Sequence, residues 1–525
     1  MKVRLSLTAL LLFVLFALEL PAQNEIDALR FSSSSPVGTA RALGAGGAFS
    51  AVGADFSAAS LNPAGLALYR RNDLMFTPTL RVNNTQTDYV GRTSNTSASR
   101  FGISNFGYVY AGKVAKWNPT TRRRDYVDRG LKSYSFSFGF NQTNNFRRNI
   151  NANAFNPENS ITDYFAEQAQ GSFSADLPNQ LSLAGLAWNA YAIDSSGFDG
   201  NYIGSAQGGN INQRADIFER GRANDWTIGL AGNVSDIFYI GGGIGIHGLR
   251  YEYSLDYREE DLLDVHNTWS NDSVPFSSLR MTDGFTTRGS GLNLKIGMIL
   301  RPVDFFRVGI SFTSPTWYSL TDNYTTDISG FLDGDATVYE SVEPLTGVYS
   351  YNLATPYRVT AGAMLLLGKL MFISADFEYI DYTTARFSSE AGPGNPFFYD
   401  FQTENNNINQ FFTSAYNLRL GTELRLGRGR LRAGYANYGA VLRDEYLSYV
   451  DYANGTLAQL PSNRHIFTGG LGYKSRSFYI DVAYVRDVNA DRRLLYTLQD
   501  ATAFSPELVN RNTGTNLYMT IGFTF

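Results

Sequence analysis

The residues able to do chemistry are few and poorly spaced for it. The 525-residue chain has no cysteine, which excludes disulfides, thiolate metal sites, cysteine nucleophiles and a lipidated-cysteine anchor. Its three histidines, His247, His266 and His465, stand far apart, none at the spacing of a metal-ligand pair. A barrel phospholipase would need a serine and a histidine with an orienting partner; His247 and His465 stay open for that role, but no motif surrounds them. Gly243, Gly245 and Gly248 satisfy G-x-G-x-x-G. Dinucleotide binding needs such glycines at a strand-to-helix turn, whereas these sit inside a strand-like run. Asp333, Gly334 and Asp335 begin like a calcium loop but lack its later carboxylate. The expectation is a protein that is not an enzyme and has no cofactor and no metal.

Lys and Arg number 44 against 48 Asp and Glu, a formal charge of −4, so there is no basic field for nucleic acid. Charged residues make up 18 % and aromatics 14 %, against a usual charged fraction of about 25 %. Mean hydropathy is −0.21, and after the first twenty positions no apolar window of about 18 residues occurs, which excludes ordinary transmembrane helices. Met1 to Ala22 carries Lys2 and Arg4, an apolar run from Leu5 to Leu18, then Pro21 and Ala22. That is the order of a secretory signal peptide cleaved near Ala22; the run is too short for a spanning helix, which argues against an N-terminal anchor.

The remaining chain alternates with period two. Leu292, Leu294, Ile296, Met298 and Leu300 share one face opposite Asn293, Lys295 and Gly297; Leu418, Leu420, Leu424 and Leu426 stand opposite Arg419, Gly421, Glu423 and Arg425. In a sandwich the apolar face is core, and in an outer-membrane barrel it meets lipid. The connections separate the two cases. Strands are predicted over 74–80, 101–110, 134–142, 226–233, 238–257, 289–300, 305–317, 356–367, 370–382, 415–426, 430–438, 464–473, 477–487 and 515–525. Tight turns at 235–236, 301–304, 368–369, 427–429 and 474–476 alternate with long loops at 142–225, 258–288, 318–355, 383–414, 439–463 and 488–514. Short turns at one rim and long loops at the other mark an outer-membrane barrel, here all-β with 14 antiparallel strands. Gln180–Ile193 reads as a loop helix rather than a fifteenth strand, and Asn159–Gly171 also looks helical.

Tyr134, Phe136, Phe138 and Phe140 line one strand face, and Tyr251, Tyr253 and Tyr257 read as an aromatic girdle at a strand end. Residues 111–133 form a basic excursion on the short side. Residues 318–355, with Asp322, Asp327, Asp333, Asp335, Glu340 and Glu343 and no Lys or Arg, read as a solvated external face. Lys295, Arg307, Arg419, Glu423 and Arg425 are expected in the lumen with Arg358, Asp376, Glu378, Arg430 and Arg432, ion-paired along the wall more than binding a ligand, since buried charges need partners.

Between leader and first strand, residues 38–67 read GTARALGAGGAFSAVGADFSAASLNPAGLA. Small residues let backbones approach closely, and Phe49, Phe56, Leu43 and Leu61 supply packing that a flexible tether would lack. This run, with Asn62, Pro63, Ala64 and Gly65, resembles the hatch of the FadL-type outer-membrane transporters of long-chain fatty acids and other hydrophobic compounds; weaker likenesses at 307–315, 356–382, 418–435 and 467–484 extend it over nearly the whole mature chain. The long segment 142–225 departs from that pattern. The resemblance implies a signal peptide at 1–22, a hatch at 23–73 and a barrel over 74–525. It implies gating residues Gly44, Gly46, Gly47, Asn62, Pro63, Ala64 and Gly65, with Phe49, Phe56 and Leu61 packing the hatch or lining a ligand pocket. It further implies passive uptake of long-chain fatty acids or aromatic hydrocarbons in the Gram-negative outer membrane, as a monomer among lipid and lipopolysaccharide. The ligand would leave sideways through a wall defect, for which Gly139 is a candidate. The alternative is a structural or protein-interaction barrel of an outer-membrane secretion machinery, favoured by segment 142–225.

Overall fold

The computed structural model describes residues 25–33, 35–118, 122–266, 275–334, 337–340, 343–392, 395, 398–443, 463–496, 498–499 and 506–525. The leader expected at 1–22 lies outside the described residues.

Fourteen strand positions close into an antiparallel barrel. In chain order they are β1 Asp73–Tyr89, β2 Arg92–Lys113, β3 Leu131–Asn145 continued by Arg148–Asn156, β4 Ile211–Val234, β5 Phe238–Glu260 and β6 Phe276–Val303. Then come β7 Phe306–Thr313 continued by Trp317–Leu332, β8 Leu345–Ala354 continued by Arg358–Leu367, and β9 Met371–Asp381 continued by Arg386–Ser389. The last are β10 Ser414–Leu426, β11 Gly429–Tyr438, β12 Arg464–Lys474, β13 Phe478–Leu494 and β14 Glu507–Thr524. Each pairs with its predecessor, and β14 returns to β1 from Asp73↔Thr524 to Tyr89↔Leu508. Closure leaves no strand without a partner on either side.

Every predicted strand has its counterpart, but the strands run much further at the long-loop end. β1 and β2 meet at Val90 and Gly91, and most of the expected loops 258–288 and 318–355 are wall. The breaks in β7, β8 and β9 fall at 314–316, 355–357 and 382–385, side by side in the sheet, with Pro315 and Pro356 unable to donate to a ladder.

The outward face explains the extra length. On β6, Leu292 to Leu300 are exposed at every second position, nine residues that at about 3.3 Å each and a tilt near 40° cover about 23 Å, the height of a hydrocarbon layer. Ile240, Ile244 and Ile246 continue the band on β5, and Phe136 and Phe138 on β3. Beyond Gly248 the outward residues of β5 become Arg250, Glu252, Ser254, Asp256, Arg258 and Glu260, while the inward ones become Leu249, Tyr251, Tyr253, Leu255 and Tyr257. The pleat is unbroken; the apolar residues change sides. Tyr251, Tyr253 and Tyr257 are therefore not a membrane girdle but buried core, 1 %, 8 % and 0 % exposed, because this part of the barrel stands in water and is filled.

That filling, the dome, is the largest apolar cluster of the molecule. It takes in helix α1 (Glu25–Ser32), which sends Phe31 against Phe146 and Tyr251 at 6.3 and 6.0 Å between ring centroids. It also takes in the insertion after β3, with helices α4 (Ile161–Ala169) and α5 (Leu183–Asn189), close to the two expected loop helices. Between α1 and the insertion come two short helices of the lumen, α2 (Ala40–Gly44) and α3 (Ala58–Leu61), and α6 (Gln402–Phe411) caps the dome from the β9–β10 connection. Asp322 is 1 % exposed, so the acidic segment is not one solvated face: its strands belong to the dome wall.

Candidate functional site

Of the expected hatch 23–73, residues 25–32 belong to the dome as α1, and residues 36–72, called the hatch below after that expectation, occupy the membrane-level lumen and are fastened around its circumference. Ala40 N donates to Thr520 Oγ1 (2.7 Å), Gly46 N to Thr468 Oγ1 (3.0 Å), Arg41 Nε to Glu423 (3.1 Å) and Arg307 Nη1 to the Val52 carbonyl (2.9 Å). Ser50 donates its N–H and its hydroxyl to Asp376. Gly46 and Gly47 stand at φ +68° and +72°, the left-handed region that suits glycine. Asn62 is fully buried; its Oδ1 accepts from Ala64 N (3.1 Å), and its Nδ2 donates to the carbonyls of Ser50 (2.8 Å) and Met298 (3.2 Å). One amide side chain thus ties the turn at Pro63 to the hatch and to the barrel wall.

The wall receives this body on glycines, a signal absent from the sequence reading. A Cβ at Gly241 would lie 2.5 Å from the Pro63 carbonyl carbon and one at Gly309 2.7 Å from the Ser50 oxygen; at Gly297 and Gly362 it would be closer still to Asn62 and Ser50. Gly107 and Gly139 pair across β2 and β3 and leave the space that the Phe56 ring fills. Gly44 sits against Gly470, and Gly65 against Gly53 and Ala58. Strand glycines recurring on the inward face at one height are the mark that could have been read.

Phe49 packs on Phe372 at 6.0 Å, and Phe56 is fully buried; both fill the hatch and its seat. Leu61 is half-buried and lines a cavity above. Lys295 pairs with Asp225, Arg419 with Glu378 (3.6 Å), and Glu423 with Arg41 and Arg432 (2.7 Å), Arg432 also reaching Asp481 (2.6 Å). Arg425 differs: it is exposed beside the 427–429 turn, its Nε 3.4 Å from the Gly427 carbonyl, because the hatch does not reach that low. Asp225 and Asp481, the acids completing two of these pairs, went unread in sequence since each lies within an otherwise ordinary strand.

Directly above the hatch is a cavity of about 120 Å³ lined by Ser60, Asp225, His247, Lys295, Arg358 and Arg419 among others. His247 Nε2 lies 3.4 Å from Asp225, and Arg419 keeps Nε and Nη2 without a hydrogen bond of normal geometry among the described residues. His247 thus belongs to an ionic layer; His465 is remote, its Nδ1 2.9 Å from the Tyr435 hydroxyl.

The wall is interrupted beside a second cavity. β2 and β3 pair from Lys113↔Ser133 up to Asn105↔Asn141, and among the described residues no ladder joins them higher. Ser104 and Thr143 are bulged at that height, as at other places where pairing ends. Gly139, expected at the defect, is still paired; the break starts above Asn141, at the top of the apolar band. Phe101 and Ile103 stand 73 % and 55 % exposed on its edge. Its outer end is closed by side chains: Thr96 Oγ1 donates to the Asn149 carbonyl (2.5 Å), Asn149 Nδ2 to the Ser97 carbonyl (3.3 Å), Ser94 Oγ to the Asn151 carbonyl, and Asn83 Nδ2 of β1 to the Arg147 carbonyl (2.7 Å). Behind it lies a cavity of about 230 Å³ lined by Arg30, Ser35, Arg81, Asn144, Phe146 and Tyr518 among others. The segment between α1 and the hatch is held there: Ser35 N donates to Thr143 O (2.9 Å), and Asn144 Nδ2 to Ser33 O (3.2 Å).

No family model matches the chain, and no curated protein does. Among solved structures it is similar to a Pseudomonas aeruginosa FadL homologue, at 13 % identity over 94 % of this chain and 99 % of that chain, with a TM-score of 0.53. It also aligns with the Pseudomonas putida toluene transporter TodX, at 13 % identity over 92 % and 97 %, with a TM-score of 0.49. The first likeness establishes the fold as that of the FadL homologue.

Proposed function

We propose that this chain is an outer-membrane channel of a Gram-negative bacterium for passive uptake of hydrophobic small molecules, with residues 36–72 of the expected 23–73 acting as its hatch. The observation that carries the reading is the interrupted β2–β3 wall at the upper edge of the lipid band, with a cavity behind it tied to the N-terminal segment. A solute there can leave sideways into the membrane once a shift of the hatch draws the tethered segment 33–36 away from the opening. The fold shared with a FadL homologue supports the reading. The ionic layer favours an amphiphile, such as a long-chain fatty acid, over a bare aromatic hydrocarbon: Arg419, whose Nε and Nη2 make no hydrogen bond of normal geometry among the described residues, offers a carboxylate charge-assisted bonds. The barrel works as a monomer, its band against lipid and its dome among lipopolysaccharide. The alternative, a structural barrel binding protein partners, draws on the solid dome and ranks second.

The test is Asn62→Ala with Pro63→Ala in a deletion strain. The barrel should fold while uptake of labelled oleate falls; unchanged uptake would sink the hatch mechanism. Stoichiometric recovery of secretion components with the purified chain would favour the alternative.

A further inference from the structure

The short-turn rim carries a charge that the uptake reading does not use. Segments 70–72, 113–132, 235–237, 301–305, 368–370, 425–430 and 474–477 hold 16 Lys and Arg against 4 Asp and no Glu, in a chain whose acids outnumber its bases overall. Few of these cations are neutralised: Lys132 meets Asp236 at 2.6 Å, Arg70 meets the same carboxylate at 3.9 Å, and Arg301 pairs with Asp304. Lys116, opposite Asp125 in register, and Arg122, Arg129, Lys369, Arg428 and Arg476 are exposed, and the last four make no salt bridge among the described residues.

Aromatic residues mark the same level. Tyr110 and Tyr134 stand 6.1 Å apart at the lower edge of the lipid band. Below them a small hairpin, Ala115–Asn118 paired with Arg123–Tyr126, holds Trp117 and Tyr126 63 % and 66 % exposed, with the Lys113 ammonium 5.1 Å from the Tyr126 ring centre. Exposed Trp and Tyr beside Lys and Arg is the composition that settles at a membrane–water boundary, rings at headgroup depth and cations on phosphate.

We infer that this rim is a docking surface for the anionic phospholipid headgroups of the leaflet it borders, with the paired segments Ala115–Asn118 and Arg123–Tyr126 lying on that leaflet. The charge is complementary and continuous with the lipid band, so the partner is already in contact once the barrel is inserted. Screening follows: the preference weakens as salt shortens the Debye length. The surface stands apart from the cavities and holds whatever passes through the barrel.

The experiment uses the full chain in mixed micelles of phosphatidylcholine and phosphatidylglycerol, with retained lipids counted by native mass spectrometry. The parent should keep phosphatidylglycerol over phosphatidylcholine. Lys116→Gln with Arg122→Gln and Arg129→Gln should lower that preference about tenfold, and Lys369→Gln with Arg428→Gln and Arg476→Gln should lower it separately. The heat-dependent shift in electrophoretic mobility of each variant verifies that the barrel is folded. Equal retention of the two lipids by the parent, or undiminished preference in both folded variants, overturns the inference. Binding of polyglutamate without lipid preference also overturns it, assigning the rim to an acidic peptide.

Discussion

The band and the dome are one set of strands in two solvents. Along β5 even-numbered residues face out from end to end, yet below Gly248 they are Ile240, Ile244 and Ile246 and above it Arg250, Glu252, Asp256 and Arg258. The inward face reverses in step, from an ionic layer around Asp225, Lys295 and Arg419 to a packed core of Tyr251, Tyr253, Leu255 and Tyr257. Where lipid surrounds the wall, oil stays outside and the lumen must satisfy its own charges; where water surrounds it, the hydrophobic effect drives the same side chains inward. Alternation therefore reports a strand with two unlike faces, and only the phase of the alternation reports which solvent it meets.

The sharpest way to break this comparison is to damage each interior by its own rule. In the band, Lys295→Met leaves Asp225 buried without its partner, a change expected to cost about 3–5 kcal/mol, while adding Asp225→Leu should recover much of it. Urea titration of the folded barrel, followed by tryptophan fluorescence, measures both; a double variant no better than the single one would mean the pair is not the source. In the dome, Leu320→Ala removes a side chain with no exposure and should cost about 2–5 kcal/mol. The same truncation at Leu294, 52 % exposed on the lipid face, should cost under about 1 kcal/mol, because lipid chains refill the space. Outward charges give a smaller contrast: Ile296→Arg near the middle of the band should cost about 2–4 kcal/mol, and Ser254→Arg on the dome next to nothing. Comparable losses at 296 and 254 would refute the placement of the lipid boundary.

The barrel was legible because alternation and the tight turns are written locally in the sequence. Fourteen strands, the inner turns and the two loop helices follow from periods and turn residues. The dome was not legible from the same signs, since a strand leaving the membrane keeps its period and changes only phase; Tyr251, Tyr253 and Tyr257 look like a girdle until Arg250, Glu252 and Asp256 are noticed on the other face. For the lumen, sequence pointed to Lys295, Arg419 and Glu423 but not to Asp225 or Asp481, because partners brought together by barrel curvature are far apart in the chain. Helix α1 also went unread: eight residues are too few for periodicity to speak, and the dome core, not propensity, holds it. The glycine seat was readable in principle, but an inward glycine acquires meaning only once the body facing it is known.

The smallest effect lies where the dome meets water. Asp163 in the first turn of α4 accepts from Ser160 N at 3.0 Å; burial pushes its carboxyl up to about 6, opposed by that bond and by His266, and assisted by the neighbouring Glu167. A carboxyl whose folded value lies above its unfolded one favours the fold while protonated. Its contribution is complete below the unfolded value near 3.8 and fades as pH rises through about 6. Hydrogen exchange over 161–169, corrected for the intrinsic rate, should show α4 better protected at about pH 5 than at about pH 7.5. The difference should be on the order of 1 kcal/mol, the partial exposure of the group and its counter-bonds trimming the effect. Asp163→Asn keeps an acceptor for Ser160 and carries no charge, so its protection should be level across that range, while Leu294→Ala in the band should leave the slope as in the parent. A slope retained in Asp163→Asn would place the titrating group elsewhere, with the buried Glu259 beside Ser160 the next residue to replace.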